Sequence, residues 1–312
     1  MTKKKIILRI VQIVIVLFGI SFLTFLLTYL SPGDPAQIML VSSGVMPTES
    51  AVAALREQMG FNLPFWTQYF RWIGNALHGD FGISFSMNKP VVDLLLARLW
   101  PTLKLTIFSM VLMLVISIPL GMLSAVYKDK PIDYIVRGFT FVGCSLPNFW
   151  VGLLLMLVFC VRFTIFPVIC STGDFRSLVL PAVTLAIAMS SKYTRQVRTA
   201  ILEELGQDYV TGARARGIKE RKILWRNVFP NSLLPLITML GLSVGSLLGG
   251  TAVVEVIFSY PGMGSLAVAA ITSSDYNVIQ AYVLWVALIY MVINLIVDIS
   301  YNFVDPRMRL KR

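Results

Sequence analysis

The residue types that most often carry chemistry are scarce in this chain. His78 is the only histidine, and Cys144, Cys160 and Cys170 share no CxxC or Cys–His spacing. That excludes a histidine-based metal site, a histidine proton relay and the usual Ser/His/Asp arrangements, and no HExxH stretch occurs. Cys144 and Cys160 read as small buried apolar residues, with no disulfide framework. There is no GxxxxGK[ST] and no Gly-Lys dipeptide, so the chain has no phosphate-cradling loop of its own. The charges in or near apolar runs are Lys104, Arg137, Arg162, Glu255 and Asp298. They lie towards the ends of those runs rather than at the midplane positions that proton-coupled carriers use.

One interval is built differently. Residues 206–235, GQDYVTGARARGIKERKILWRNVFPNSLLP, form a long polar, strongly basic stretch between two apolar runs. Asp208 can cap a helix N-terminus, Arg214 and Arg216 fall in its last turn, and Gly217 can take the left-handed stop. Tyr209, Val210 and Ala213 recur at helical spacing, which predicts a helix of two to three turns with a small apolar face beside a basic one. A second basic piece, 219–226, follows, and Pro230 and Pro235 lead back into apolar sequence. Alone, such a stretch reads either as a solvated basic loop or as a segment to be gripped from outside.

The elements that must position it are membrane spans. The chain is 56% hydrophobic with a mean hydropathy of +0.76, and several apolar runs exceed the roughly 18–20 residues that cross the hydrocarbon core. The first span covers 10–30 and is too long for a signal peptide's apolar core. A polar interval, 31–100, follows, with a capped helix predicted after Thr48 and ending at Gly60. After it comes an aromatic segment (Phe65, Trp66, Tyr69, Phe70, Trp72) suited to the membrane surface or to a packed exterior subdomain. Pro101 opens a second span, 102–127, with a kink at Pro119. The third, 134–163, is interrupted by Ser145-Leu146-Pro147-Asn148; broken helices line transport paths in many carriers, though packing kinks are commoner. The fourth begins near Leu178 with Pro181 in its first turn. The fifth, 233–258, carries Gly241, Gly245 and Gly249, a small-residue ridge that lets another helix approach closely. An exterior loop, 259–277, leads to the sixth span, 278–304. Of 27 Lys and Arg, 20 fall in four intervals that six spans place on one side, so both termini and 206–235 are expected in the cytoplasm. The net charge of +11 thus reflects topology rather than nucleic-acid binding.

A six-span chain with a docking helix and no energy source resembles the permease subunits of ATP-binding cassette (ABC) importers. DYVTGARARG at 208–217, followed by Pro230, is similar to their cytoplasmic coupling loop: Ala213, Gly217 and Pro230 match, while Thr211 and Gly212 stand where Glu and Ala are usual. That departure typifies the dipeptide/oligopeptide/nickel permease branch, with Arg216 replacing a Lys. SPGDPA at 31–36, GDFGISF at 79–85, PTL at 101–103, SLPNFW at 145–150, EVIFSYPGMG at 255–264, DYNVIQ at 275–280 and DPRMR at 305–309 extend the resemblance over nearly the whole chain.

The resemblance implies an all-α, polytopic inner-membrane subunit of a bacterium. Its parts would be an N-terminal helix (1–30), an exterior segment with short interfacial helices (31–101) and an importer core (102–312) whose coupling loop is 199–232. It implies as partners a homologous second permease, two cytoplasmic ATPase subunits that bind ATP and Mg²⁺, an extracytoplasmic substrate-binding protein and membrane lipid. This chain itself would be non-catalytic, without cofactor or metal ligands. Asp208, Tyr209, Val210, Ala213, Arg214, Ala215, Arg216 and Gly217 would couple to an ATPase, and ATP-driven closure there would tilt the spans. Pro147, Asn148, Gly241, Gly245 and Gly249 would line the path or pack against neighbours. PNFW, DFGISF and DYNVIQ look most like the nickel or metal-chelate branch, with di- and oligopeptides the alternative. A channel or secondary carrier is disfavoured by the missing midplane charges, and a membrane enzyme by the missing catalytic constellation.

Overall fold

A computed structural model describes residues 3–171 and 173–304, with side chains described at all of these except 3–6, 234, 235, 238, 242, 246, 248–250 and 297–304. Helix accounts for 78% of it, with no strand among the described residues. In chain order the helices are α1 Lys3–Tyr29, α2 Pro35–Ser42, α3 Glu49–Met59, α4 Phe65–Leu77, α5 Val91–Val126, α6 Pro131–Ser145 and α7 Asn148–Met156, which runs on as a π turn. There follow α8 Arg176–Leu205, α9 Asp208–Ala215, α10 Glu220–Ile223 and a second π turn, then α11 Phe229–Ile257, α12 Met263–Thr272 and α13 Tyr276–Val304. DPRMR lies outside the described residues.

Three helices among the described residues are long and apolar enough to cross a bilayer: α1 over Ile7–Tyr29, all of α5, and α13 over Tyr276–Ile296. The pair α6 and α7 passes the same test together but is bent by 97° at the expected break. Pro147 lacks the N–H that would continue α6, and sits extended (φ −64°, ψ 136°) as the cap of α7. α8, the expected fourth span, is apolar only up to Ser191 and then carries Lys192, Arg195 and Arg198, too short a run for that test.

The chain forms two compact units. The first comprises residues up to Thr102 together with Pro261–Val292. In it, Thr48 and the left-handed Gly60 (φ 76°) bound α3 as the sequence predicts. The aromatic face of α4 packs on α1: Phe65 meets Tyr29 with ring centroids 5.0 Å apart, Phe25 meets Trp72 at 5.5 Å, and buried Tyr69 shares a 2.9 Å hydrogen bond with Ser21. Several of the segments that carried the family resemblance, among them SPGDPA, GDFGISF and DYNVIQ, turn out to be joints of this unit. The Asp275 carboxylate accepts from Ser84 Oγ (2.6 Å), Ser86 N (3.0 Å) and Ser86 Oγ (2.9 Å), and Asn277 Nδ2 donates to the Ile83 carbonyl (2.9 Å). Thr102 Oγ1 accepts from Met263 N at 2.7 Å, and Asp34 caps α2 while pairing with Arg56 at 3.0 Å.

Two expectations are corrected here. α5 begins at Val91, not after Pro101, because Val91, Leu95 and Leu99 pack with Met263, Leu266, Ala270 and Val278; that burial carries the helix through Arg98 and Pro101. The expected 259–277 loop contains α12, whose Met263, Leu266, Ala267 and Ala270 are buried.

The second unit holds Leu103–Tyr260 and residues from Ile293 onward. Its centre is α8, with α6, α7 and α11 against it. A Cβ on Gly143 would lie 1.9 Å from Ser191 Oγ, so α6 and α8 approach to backbone distance there. Because Gly143 faces α8, the adjacent Cys144 is turned away and exposed, contrary to expectation, whereas Cys160 and Cys170 are buried. α8 starts at Arg176, which moves Pro181 from the first turn into the second. Tyr193 crosses to α11, its hydroxyl donating to the Met239 carbonyl (2.5 Å) and pairing with Ser243 Oγ. Asp133, wholly buried, accepts from Arg198 Nε and Nη2 at 2.8 Å each and from Ser124 Oγ at 2.5 Å.

Removing one member of such a pair strands a buried charge. Arg198→Leu is expected to destabilise the protein by about 3–5 kcal/mol. The Asp133→Asn/Arg198→Leu double variant should recover most of that loss, read as thermal midpoints in detergent.

Candidate functional site

The basic interval folds as a short lug on the second unit. α8 ends at Leu205 with Gly206 as its C-cap, Gln207 is extended (φ −77°, ψ 151°), and α9 begins at Asp208. Asp208 therefore occupies the first helical position rather than the cap expected of it, because Gln207 takes the extended turn out of α8. Its charge still stands in the first turn, where the dipole favours it. Arg214 lies in the last turn and Arg216 is the C-cap. Gly217 is left-handed (φ 74°), its N–H donating to the Arg214 carbonyl (2.9 Å), while Ile218 N donates to the Ala213 carbonyl (3.2 Å). This is a Schellman stop, closed by Ile218 entering the same apolar cluster as Ala213.

Val210 and Ala213 are turned into the chain's own core, against Met122 and Ala125 of α5, Val197 and Ile201 of α8, and Ile223 and Val228 beyond. They hold the helix in place. Tyr209, predicted on the same apolar face, is exposed; its hydroxyl donates to Glu204 Oε2 (2.6 Å) and accepts from Asn231 Nδ2 (3.4 Å). Desolvation and the Glu204 carboxylate raise its pKa. Asp208, Thr211, Gly212, Arg214, Ala215, Arg216 and Gly217 are all exposed, as are Trp225 and Arg226 further along the chain. Arg214 forks onto Glu220 (2.6 and 3.2 Å), and its guanidinium holds the Glu220 carboxyl below its ordinary value. The outward surface thus combines backbone left bare at Gly212 and Gly217 with a surplus of cations.

Pro147 and Asn148 are exposed at the α6–α7 break. Gly241 is buried and Gly245 half-buried on α11; the surroundings of Gly249 lie outside the described residues. What sequence reasoning missed is the support behind α9. Nothing local marked Asp133 as the partner of Arg198, 65 residues on, or Val210 as an inward anchor.

A body of long apolar helices with one small basic helix at its surface defines a class, the polytopic helical membrane protein. Residues 117–310 match the family described as binding-protein-dependent transport system inner membrane component, and residues 2–106 match the N-terminal model of such membrane components. The chain belongs to this family and is a permease subunit of an ABC importer, a multi-pass inner-membrane protein. The oligopeptide transport system permease protein AppB of Bacillus subtilis (strain 168) is 40% identical over 306 residues, covering 94% of this chain and 95% of AppB. The glutathione transport system permease protein GsiC of Escherichia coli (strain K12) is 35% identical over 303 residues, covering 97% and 98%. Among solved structures, the inward-facing MetNI methionine ABC transporter shares the fold with a TM-score of 0.59 at 19% identity, over 70% of this chain and all of that one. Membrane subunits of this class are generally non-catalytic and work with ATPase and substrate-binding partners.

The Schellman stop is the feature of the lug most open to a single change. Gly217→Val places a β-branched residue in left-handed backbone, expected to cost about 1–2 kcal/mol locally. It should speed tryptic cleavage at Arg214 and Arg216 while the fold elsewhere is retained; Gly217→Asn should do so far less.

Proposed function

We propose that this chain forms one half of the translocation path of an importer for short peptides, beside a homologous second permease. Two cytoplasmic ATPase subunits would bind ATP and Mg²⁺ and grip α9, and an extracytoplasmic binding protein would deliver the substrate. The observation that carries the coupling reading is the division of α9: Val210 and Ala213 are locked in the core while the cationic and glycine-bare surface faces out. A push on that surface reaches α5, α8, α10 and α11 through one close-packed cluster, which transmits displacement rather than absorbing it. α8 passes it to α6 through Arg198–Asp133 and to α11 through Tyr193. The break at Pro147–Asn148 would border the path, and Gly241, Gly245 and Gly249 would meet the second permease. Lys and Arg segregation supports cytoplasmic termini and a cytoplasmic α9.

A peptide substrate is favoured over a nickel or other metal chelate by the oligopeptide and glutathione names of the relatives, although PNFW, DFGISF and DYNVIQ resemble the metal branch. In cells lacking their own peptide importers, the assembled system should take up labelled di- or tripeptides and leave radiolabelled nickel outside. Nickel uptake without peptide uptake would reverse the assignment.

Arg216→Glu should leave the thermal midpoint and membrane abundance unchanged, yet abolish both uptake and co-purification of the ATPases. Retained co-purification would remove α9 from the contact. A cysteine at Ser50→Cys should react with an impermeant thiol reagent applied outside, and one at Glu220→Cys should not; the opposite pattern would invert the topology.

A further inference from the structure

Between α6 and α8, away from the outward surface of α9, lies a cleft of about 640 Å³. Three guanidinium groups line it: Arg137 of α6 and Arg195 and Arg198 of α8. Arg198 is neutralised by Asp133, which is itself wholly buried. Arg137 and Arg195 have no ion-pair partner among the described residues; Arg137 stands over the Tyr134 ring at 5.6 Å. No carboxylate lines the cleft, so it carries two uncompensated cations.

Two planar guanidinium forks make a donor set for phosphate oxygens. A second, independent feature is the apolar stripe beside them. Tyr134, Arg137 and Phe141 follow one another at i, i+3 and i+7 on α6, which sets the cation between two rings on one stripe. Phe141 is 74% exposed and Tyr134 58%, an apolar flank that a free inorganic anion would not use.

We propose that this cleft binds a phosphate group presented by an anionic phospholipid, with the headgroup on Arg137 and Arg195 and an acyl chain along Phe141. Basic pockets between membrane helices take lipid headgroups by this chemistry. The bound lipid would brace the α6–α8 pair from the bilayer side. Neither the transported substrate nor the ATPase contact enters into it.

The test uses the full-length chain, delipidated in neutral detergent and titrated with short-chain phosphatidylglycerol, phosphatidylcholine or inorganic phosphate at matched ionic strength. Phosphatidylglycerol should raise the thermal midpoint saturably, and phosphatidylcholine and phosphate should not. Arg137→Gln/Arg195→Gln should keep the lipid-free midpoint, since both side chains are exposed, and bind phosphatidylglycerol about tenfold or more weakly. Equal phosphatidylglycerol shifts in wild type and double variant would overturn the site. An equal shift from inorganic phosphate would make free phosphate the ligand and overturn the lipid. A photoreactive residue replacing Phe141 that crosslinks another subunit of the assembled importer, rather than lipid, would do the same.

Discussion

A single buried carboxylate organises the unit that carries α9. Asp133 has no exposed surface and would be untenable there as an isolated charge. It is held by both ends of the Arg198 fork, by Ser124 and by the Asp129 amide at 3.0 Å. A bidentate pair fixes angle as well as distance, so α6 cannot slide along α8 without breaking it. The backbone-level contact at Gly143–Ser191 adds a steric stop about three helical turns further along the same seam. α8 then delivers α9 from its far end. On the proposed reading, a rigid seam behind a small lug would let work applied at the lug move helices instead of bending the lug itself.

The first unit solves a different problem with similar means. Its core is assembled from segments far apart in the chain, and polar joints set their register. Asp275 receives three donors from Ser84 and Ser86, Thr102 receives the Met263 amide, and Tyr276 reaches the Ser31 hydroxyl at 3.3 Å. Apolar packing alone tolerates sliding, whereas a carboxylate that must meet three donors does not. Short polar motifs inside an otherwise apolar protein are thereby explained as register marks.

What the sequence made legible was local. Thr48 and Gly60 announce α3, Gly217 announces the end of α9, and Pro147 announces the broken helix, because capping, left-handed backbone and a missing N–H act within a turn of the residue concerned. What stayed hidden depended on neighbours remote in sequence. The start of α5 at Val91 and the existence of α12 follow from burial against each other, and that burial outweighed the charge of Arg98 and the proline at 101. In α9 the spacing of Val210 and Ala213 was visible, but not that this face turns inward and leaves the arginines to face out. Cys144 shows the same limit: its type favours burial, yet Gly143 beside it owns the contact with α8.

The Ser84–Asp275 joint also dictates an order of biogenesis. Its partners are 191 residues apart, and at roughly 5–20 residues per second a ribosome needs on the order of ten to forty seconds to emit what separates them. Throughout that interval the hydroxyls and amide of Ser84 and Ser86 await their acceptor. The second unit, lying wholly between the two halves in its main body, has emerged before the first can close. The Ser84–Asp275 joint therefore closes only once Asp275 has been made, and the register it sets in the first unit is the last to be fixed.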